Sequence, residues 1–178
     1  MGKIYDKIPA KVISFIDNQK IFFVATAAPE GRVNLSPKGM DTFHVADPGK
    51  ILWLNVTGSG NETAAHIGEN PRMTVMFCSF DKKPQIVRLY GNARDLRPGD
   101  SGWVETYSLF KPLPGARQIF VLDIDLVHTS CGYGVPFFEY SGERDTLKEW
   151  AKNKGEEGIK KYWAENNSRS IDGNKIKI

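Results

Sequence analysis

The chain has 178 residues, with 24 Lys and Arg against 21 Asp and Glu and 40% hydrophobic residues. That length favours one domain, or one domain with an appendage, over two complete domains. A net charge of +3 with interspersed signs removes the first argument for a nucleic-acid or anionic-membrane binder, and the composition is not that of a disordered chain.

Along the chain, Ile8, Val12, Phe15 and Ile16 recur at three- and four-residue steps behind Pro9, which predicts an amphipathic helix ending near Asp17 to Lys20. From Ile21 the texture becomes β. Ile21 to Thr26 and Arg32 to Ser36 flank Pro29-Glu30-Gly31 as a hairpin, and Thr42 to Ala46 with Lys50 to Val56 form a second around Asp47-Pro48-Gly49. Gly58 to Ile67 passes from glycines into helix formers, with Asn61 or Ser59 as the expected N-cap. Arg72 to Phe80 and Gln85 to Arg94 read as a third hairpin, Ser101 to Phe110 as a short helix, and Arg117 to Val127 as a further strand. From Glu143 the chain is rich in Lys and Glu, with Leu147, Trp150, Ile159, Tyr162 and Trp163 as anchors of one or two docked helices.

Six or seven strands joined by tight turns favour an antiparallel sheet closed on itself over a parallel sheet, which needs a helix at each crossover. The expected fold is therefore mainly β: a small antiparallel barrel with short peripheral helices and a helical C-terminal tail. Two cysteines, Cys78 and Cys131, with no C-x-x-C spacing fit a reducing compartment. The absence of a signal-like start or of roughly 20 consecutive apolar residues gives a cytoplasmic expectation.

Two segments carry candidate chemistry. At the strand end Asn34-Leu35-Ser36-Pro37-Lys38-Gly39, an amide, a hydroxyl and an ammonium stand where Pro and Gly halt pairing; it reads either as an anion site or as an ordinary polar turn. Gly58 to Thr63 is a glycine loop opening a helix, whose free N–H groups suit a phosphate, although simple capping explains it equally and no P-loop or dinucleotide fingerprint is present. His44, His66 and His128 lack metal-ligand spacing, so no metal is expected. Cys131 reads as a small buried filler, and Tyr133, between two glycines, as a ring free to approach a ligand.

The order of these parts resembles the pyridoxamine 5′-phosphate oxidase-like family of FMN-binding split β-barrels. The order is a polar strand end, a hairpin, a glycine loop into a helix, Glu69-Asn70-Pro71-Arg72, then two strands reaching Val87-Arg88-Leu89-Tyr90-Gly91. Ser130-Cys131-Gly132-Tyr133-Gly134-Val135-Pro136 and Ser168-Arg169-Ser170-Ile171-Asp172-Gly173 look like a general-stress-like branch of that family. The resemblance implies a split barrel over residues 1–142 with a helical tail, 143–178, packed on it or on a partner. It also implies a homodimer with FMN at the interface, acting as an oxidoreductase on an unidentified small molecule. Alternatives are a flavin carrier or sensor, a stress-associated binding protein, or a haem- or deazaflavin-binding relative. Carried over by position, flavin contacts fall on Asn34, Leu35, Ser36, Pro37 and Lys38, ring contacts on Asn55, phosphate contacts on Asn61 and Thr63, and a substrate-side ring on Tyr133. Asn61-Glu62-Thr63 replaces the Arg-Lys pair of the vitamin-making enzymes, so the phosphate grip falls to neutral donors with Lys38 or Arg32.

Overall fold

The computed structural model describes residues 2–178, so residue 1 of the first unit lies outside the described residues. Its elements in chain order are β1 (Lys3–Tyr5), α1 (Ala10–Asp17), β2 (Phe22–Thr26), β3 (Asn34–Lys38), β4 (Phe43–Asp47), β5 (Lys50–Val56), α2 (Glu62–Glu69), β6 (Arg72–Cys78), β7 (Ile86–Leu96), α3 (Trp103–Tyr107), β8 (Ala116–Ser130) and α4 (Thr146–Asn166). All ladders are antiparallel, in the order β3-β2-β6-β7-β8-β5-β4, with β1 added on β8. The barrel is split because β3 and β4 end the path without a ladder between them among the described residues.

β8 is the spine. It pairs with β7 over most of its length, with β5 through its first half and with β1 near its end. Because β5 and the first half of β8 are covered on both faces, they are buried without alternation, whereas β8 alternates from Asp123 onward. One face buries Val24, Trp53, Val75, Leu89, Phe120 and Leu122 with α1; the other buries Leu54, Leu96, Phe110, Ile119 and Val121 beside α3. Trp53 stacks on Phe120 at a 4.9 Å centroid distance within the core.

The structure has eight strands where the sequence pattern predicts six or seven. β1 is only three residues long, too short to show a period, and is held by its ladder to β8. The tail is one helical element bent at Gly155, whose φ of 64° lies in the left-handed region and lets Trp150 and Tyr162 meet edge to face at 5.0 Å. No helix among the described residues is long and apolar enough to cross a membrane.

Candidate ligand cavity and its glycine loop

Residues 34–38 form β3, an edge strand whose one ladder among the described residues is to β2. Immediately after it, Met40 and Asp41 hold φ values of 65° and 57°, a conformation costly for residues with a Cβ. The Thr42 hydroxyl steadies this turn by donating to Gly39 O at 2.7 Å. Strain of this kind gathers at functional sites. Here it turns the chain away just past Lys38, a residue that lines a cavity of about 1130 Å³.

That cavity is lined by Pro37 and Lys38 and by Thr57, Gly58 and Ser59, while Trp150 and Tyr162 of α4 contribute aromatic rings to its wall. Lys38 Nζ lies 5.1 Å from the Trp53 ring centre, a cation–π arrangement, and takes part in no ion pair among the described residues. Burial, and then the positive charge of Arg117, bring the Lys38 pKa down to about 8. None of the backbone N–H groups from Gly58 to Thr63 has a protein acceptor among the described residues, so the loop and the start of α2 offer a row of free donors.

The other expected site residues divide into two groups. Asn34 Nδ2 donates to Thr63 Oγ1 at 3.2 Å, and Asn61 Oδ1 accepts from Asn55 Nδ2 at 3.5 Å and Gln118 Nε2 at 3.2 Å. Asn55, Asn61 and Thr63 are buried and bonded to one another or to neighbours, so they shape the loop from beneath. Asn61 occupies the N-cap position of α2 without a side-chain cap bond, because its oxygen is spent on Gln118 and Asn55. Ser36 is half-buried opposite Val24. Leu35 points out to solvent, and Tyr133, 84% exposed, stands apart from the cavity lining. Arg32, the alternative cation, is committed to Asp172 of the tail through its backbone N–H and its guanidinium, which with the hydrogen bonds holds the Asp172 carboxyl below its ordinary value. Glu62 accepts from Ile171 N–H at 3.1 Å instead of facing the loop.

Cys131 corrects the sequence expectation: it is exposed, not a buried filler. Gly132 takes the tight position against the backbone of Pro84 and Gln85, where the ladder has ended, and turns its neighbour outward. His66 is buried with Nδ1 3.0 Å from Thr26 Oγ1, while His44 packs edge-on against Phe110.

Residues that sequence reasoning missed complete the loop's support. Arg117 is 6% exposed; its Nη1 donates to Asn167 Oδ1 at 2.6 Å and its Nη2 to Gly60 O at 3.2 Å. Asn167, wholly buried, donates in turn to Gly58 O and Ser59 O at 3.3 and 3.4 Å. Trp163 Nε1 donates to Thr57 Oγ1 at 2.7 Å. The one sequence signal was a polar pair, Arg117-Gln118, set against the apolar run Ile119 to Leu122. Asn167→Ala strands a buried guanidinium and two carbonyls, and is expected to cost about 2–3 kcal/mol in urea unfolding. Trp163→Phe, losing one neutral bond, costs about 1 kcal/mol in the same measurement.

The family model described as pyridoxamine 5′-phosphate oxidase matches residues 8–131. The Aspergillus flavus protein ustO, described as a pyridoxamine 5′-phosphate oxidase family protein, is 36% identical over 194 residues, covering 97% of this chain and 77% of its own length. Among solved structures, a candidate pyridoxamine 5′-phosphate oxidase from Lactobacillus delbrueckii shares 19% identity at a TM-score of 0.58, over 69% of this chain and 94% of that one. An FAD binding protein from Mycobacterium smegmatis shares 14% identity at a TM-score of 0.52, over 71% and 97% of the two chains. At these identities the solved structures speak to the fold alone.

Proposed function

The chain belongs to the pyridoxamine 5′-phosphate oxidase family, and from that premise we propose that it holds flavin mononucleotide in the large cavity and uses it to oxidise or reduce a small molecule. The reading rests above all on Lys38, an ammonium without a carboxylate partner, standing beside a loop of free N–H donors in an aromatic-walled hollow. A phosphate monoester carrying nearly two negative charges calls for that set, a cation plus several donors. At about 1130 Å³ the cavity is at or above the roughly 300–1000 Å³ usual for ligand sites, leaving room for a second small molecule beside the ring.

Within this reading Gly58 and Ser59 offer backbone donors, Lys38 supplies the charge, and Trp150 and Tyr162 exclude water from the ring. Asn34, Asn55 and Asn61 hold the loop in shape from below. Once bound, the flavin itself would supply hydride or electron transfer. None of the described histidines lines the cavity, which favours a flavin over a haem held by an imidazole. The test is the visible spectrum of the purified full chain, with identification of the ligand released on denaturation. A flavin band pair with one FMN per chain is expected; a haem band, a deazaflavin peak, or a colourless protein that fails to take up added FMN would sink the reading.

The same reading includes a homodimer. Tyr133, Phe137, Phe138 and Tyr140 are exposed within eight residues, and the β3 edge shows Val33 and Leu35 to solvent. Unpaired strand edges and clustered exposed aromatic rings call for cover. In such a dimer Tyr133 would serve the cavity of the second copy. Sedimentation at micromolar concentration is expected to show a dimer, and a stable monomer there removes the interface model.

A further inference from the structure

Three successive carbonyls of the glycine loop are gripped by one buried pair. Gly58 O and Ser59 O accept from Asn167 Nδ2 at 3.3 and 3.4 Å, and Gly60 O accepts from Arg117 Nη2 at 3.2 Å. Arg117 Nη1 donates to Asn167 Oδ1 at 2.6 Å and ties the two together. Arg117 comes from β8, and Asn167, wholly buried, is the residue that caps the C-terminal end of α4. Neither lines the large cavity, whereas Gly58 and Ser59 do.

In a trans peptide the N–H points opposite to the carbonyl of the residue before it, and no cis peptide bond occurs among the described residues. With the carbonyls of Gly58, Ser59 and Gly60 drawn toward Asn167 and Arg117, the N–H groups of Ser59, Gly60 and Asn61 face away from that pair. None of the three has a protein acceptor among the described residues. Charge acts in the same direction. Arg117 meets no carboxylate among the described residues, so its charge is not cancelled locally. Burial first, and Arg97 second, lower its pKa to about 10, which leaves it a cation at neutral pH. After burial, that charge is the second cause of the lowered Lys38 pKa, so its field reaches a residue of the large cavity's lining. A cation bonded behind peptide carbonyls also polarises their N–H groups toward an acceptor on the other side.

We propose that Asn167 is a positioning residue for the ligand's phosphate: with Arg117 it holds the loop carbonyls back, so that the N–H groups of Ser59, Gly60 and Asn61 are presented to a phosphate monoester. Asn167 itself touches no ligand and acts through the loop. This role rests on the flavin reading and adds to it a preference for the phosphorylated flavin over its unphosphorylated counterpart. It also makes the end of α4 part of the site, because the loop's donors point where they do only while the tail is docked.

The experiment titrates the full chain with FMN and with riboflavin, which differ only in the phosphate, in the parent and in Asn167→Asp. The variant keeps the side-chain shape and the contact to Arg117 but replaces the donor amide with an oxygen that repels the Gly58 and Ser59 carbonyls. FMN is expected to bind the parent more tightly than riboflavin does, and the variant to bind FMN about tenfold or more weakly with its riboflavin affinity unchanged. Should Asn167→Asp fail to fold, Asn167→Ser, too short to reach either carbonyl, carries the same expectation. In parallel, inorganic phosphate is added to the nitrogen-15-labelled chain, and the amide signals of Ser59, Gly60 and Asn61 are expected to shift saturably in the parent and to need about tenfold more phosphate in the variant. Equal binding of the two flavins by the parent would overturn the positioning role. So would equal weakening of both flavins in the variant, which marks a merely structural residue, or a variant with the parent's preference intact. Amide signals indifferent to both phosphate and FMN would overturn it as well. A parent that takes phosphate at these amides, weakened in the variant, but binds no flavin removes the flavin reading and leaves the role of Asn167 standing.

Discussion

Lys38→Met is expected to bind flavin mononucleotide about 30- to 150-fold more weakly than the parent chain, a loss of roughly 2–3 kcal/mol for one charge-assisted contact. The methionine keeps the length and the packing over Trp53 while removing the charge, so fluorescence titration reads the electrostatic contribution. The pH dependence carries a second signature. In the free chain Lys38 titrates at about 8, and only the ammonium attracts the phosphate. Affinity is therefore full below pH 8 and falls as pH rises past it, by up to tenfold per unit, until the pKa of the bound complex is reached. Lys38→Met should lack that fall. A parent chain whose affinity is level from pH 7 to 9.5 would remove Lys38 from the site.

The stability of the flavin-free chain should move the other way. Lys38 titrates at about 8 when folded against 10.5 as an ordinary lysine, so between those values the unfolded chain holds a proton that the folded chain does not. Unfolding free energy attributable to Lys38 thus rises as pH climbs from about 8 toward 10.5, and below 8 the buried ammonium is a cost. Urea melts of parent and Lys38→Met at pH 7 and 9.5 measure the difference. Opposed trends in affinity and stability mark a group placed for binding at the expense of the fold.

Gly91→Ala is expected to be the most damaging single-methyl change in the barrel. β7 slips register between Tyr90 and Gly91, a bulge that brings Gly91 against the backbone of β8. A Cβ there would overlap the carbonyl oxygen of Asp123 and stand 3.0 Å from Ile124 Cα, both backbone atoms that no rotamer change can move. Because β8 also carries β5 and β1, the displacement cannot be absorbed locally. The expected cost is about 3 kcal/mol or more, a fall in melting temperature of roughly 10 °C. Gly134→Ala, with open space at its Cβ, is the control that should leave the melt unchanged.

Local chemistry made much of this protein readable in advance. The apolar spacing of Ile8, Val12 and Ile16, the turns at Asp47-Pro48-Gly49 and Asp81 to Pro84, and the glycine loop into α2 act over a few residues, so the sequence carries them directly. The order of those elements was enough to place the chain in its family, and Lys38 could be picked out as a cation at a strand end. Tertiary structure alone decided what surrounds it. Gln118 reaches Asn61 across 57 positions, Arg117 reaches Asn167 across 50, and Arg32 is taken by Asp172 across 140. Contacts so distant in sequence follow from strand pairing and from the docking of α4 and the tail, which depend on how buried surfaces fit together and leave no periodic trace in the residues themselves. For the same reason the unpaired charge of Arg117 was invisible in the sequence: it exists only because β8 carries that side chain to a place where no carboxylate follows.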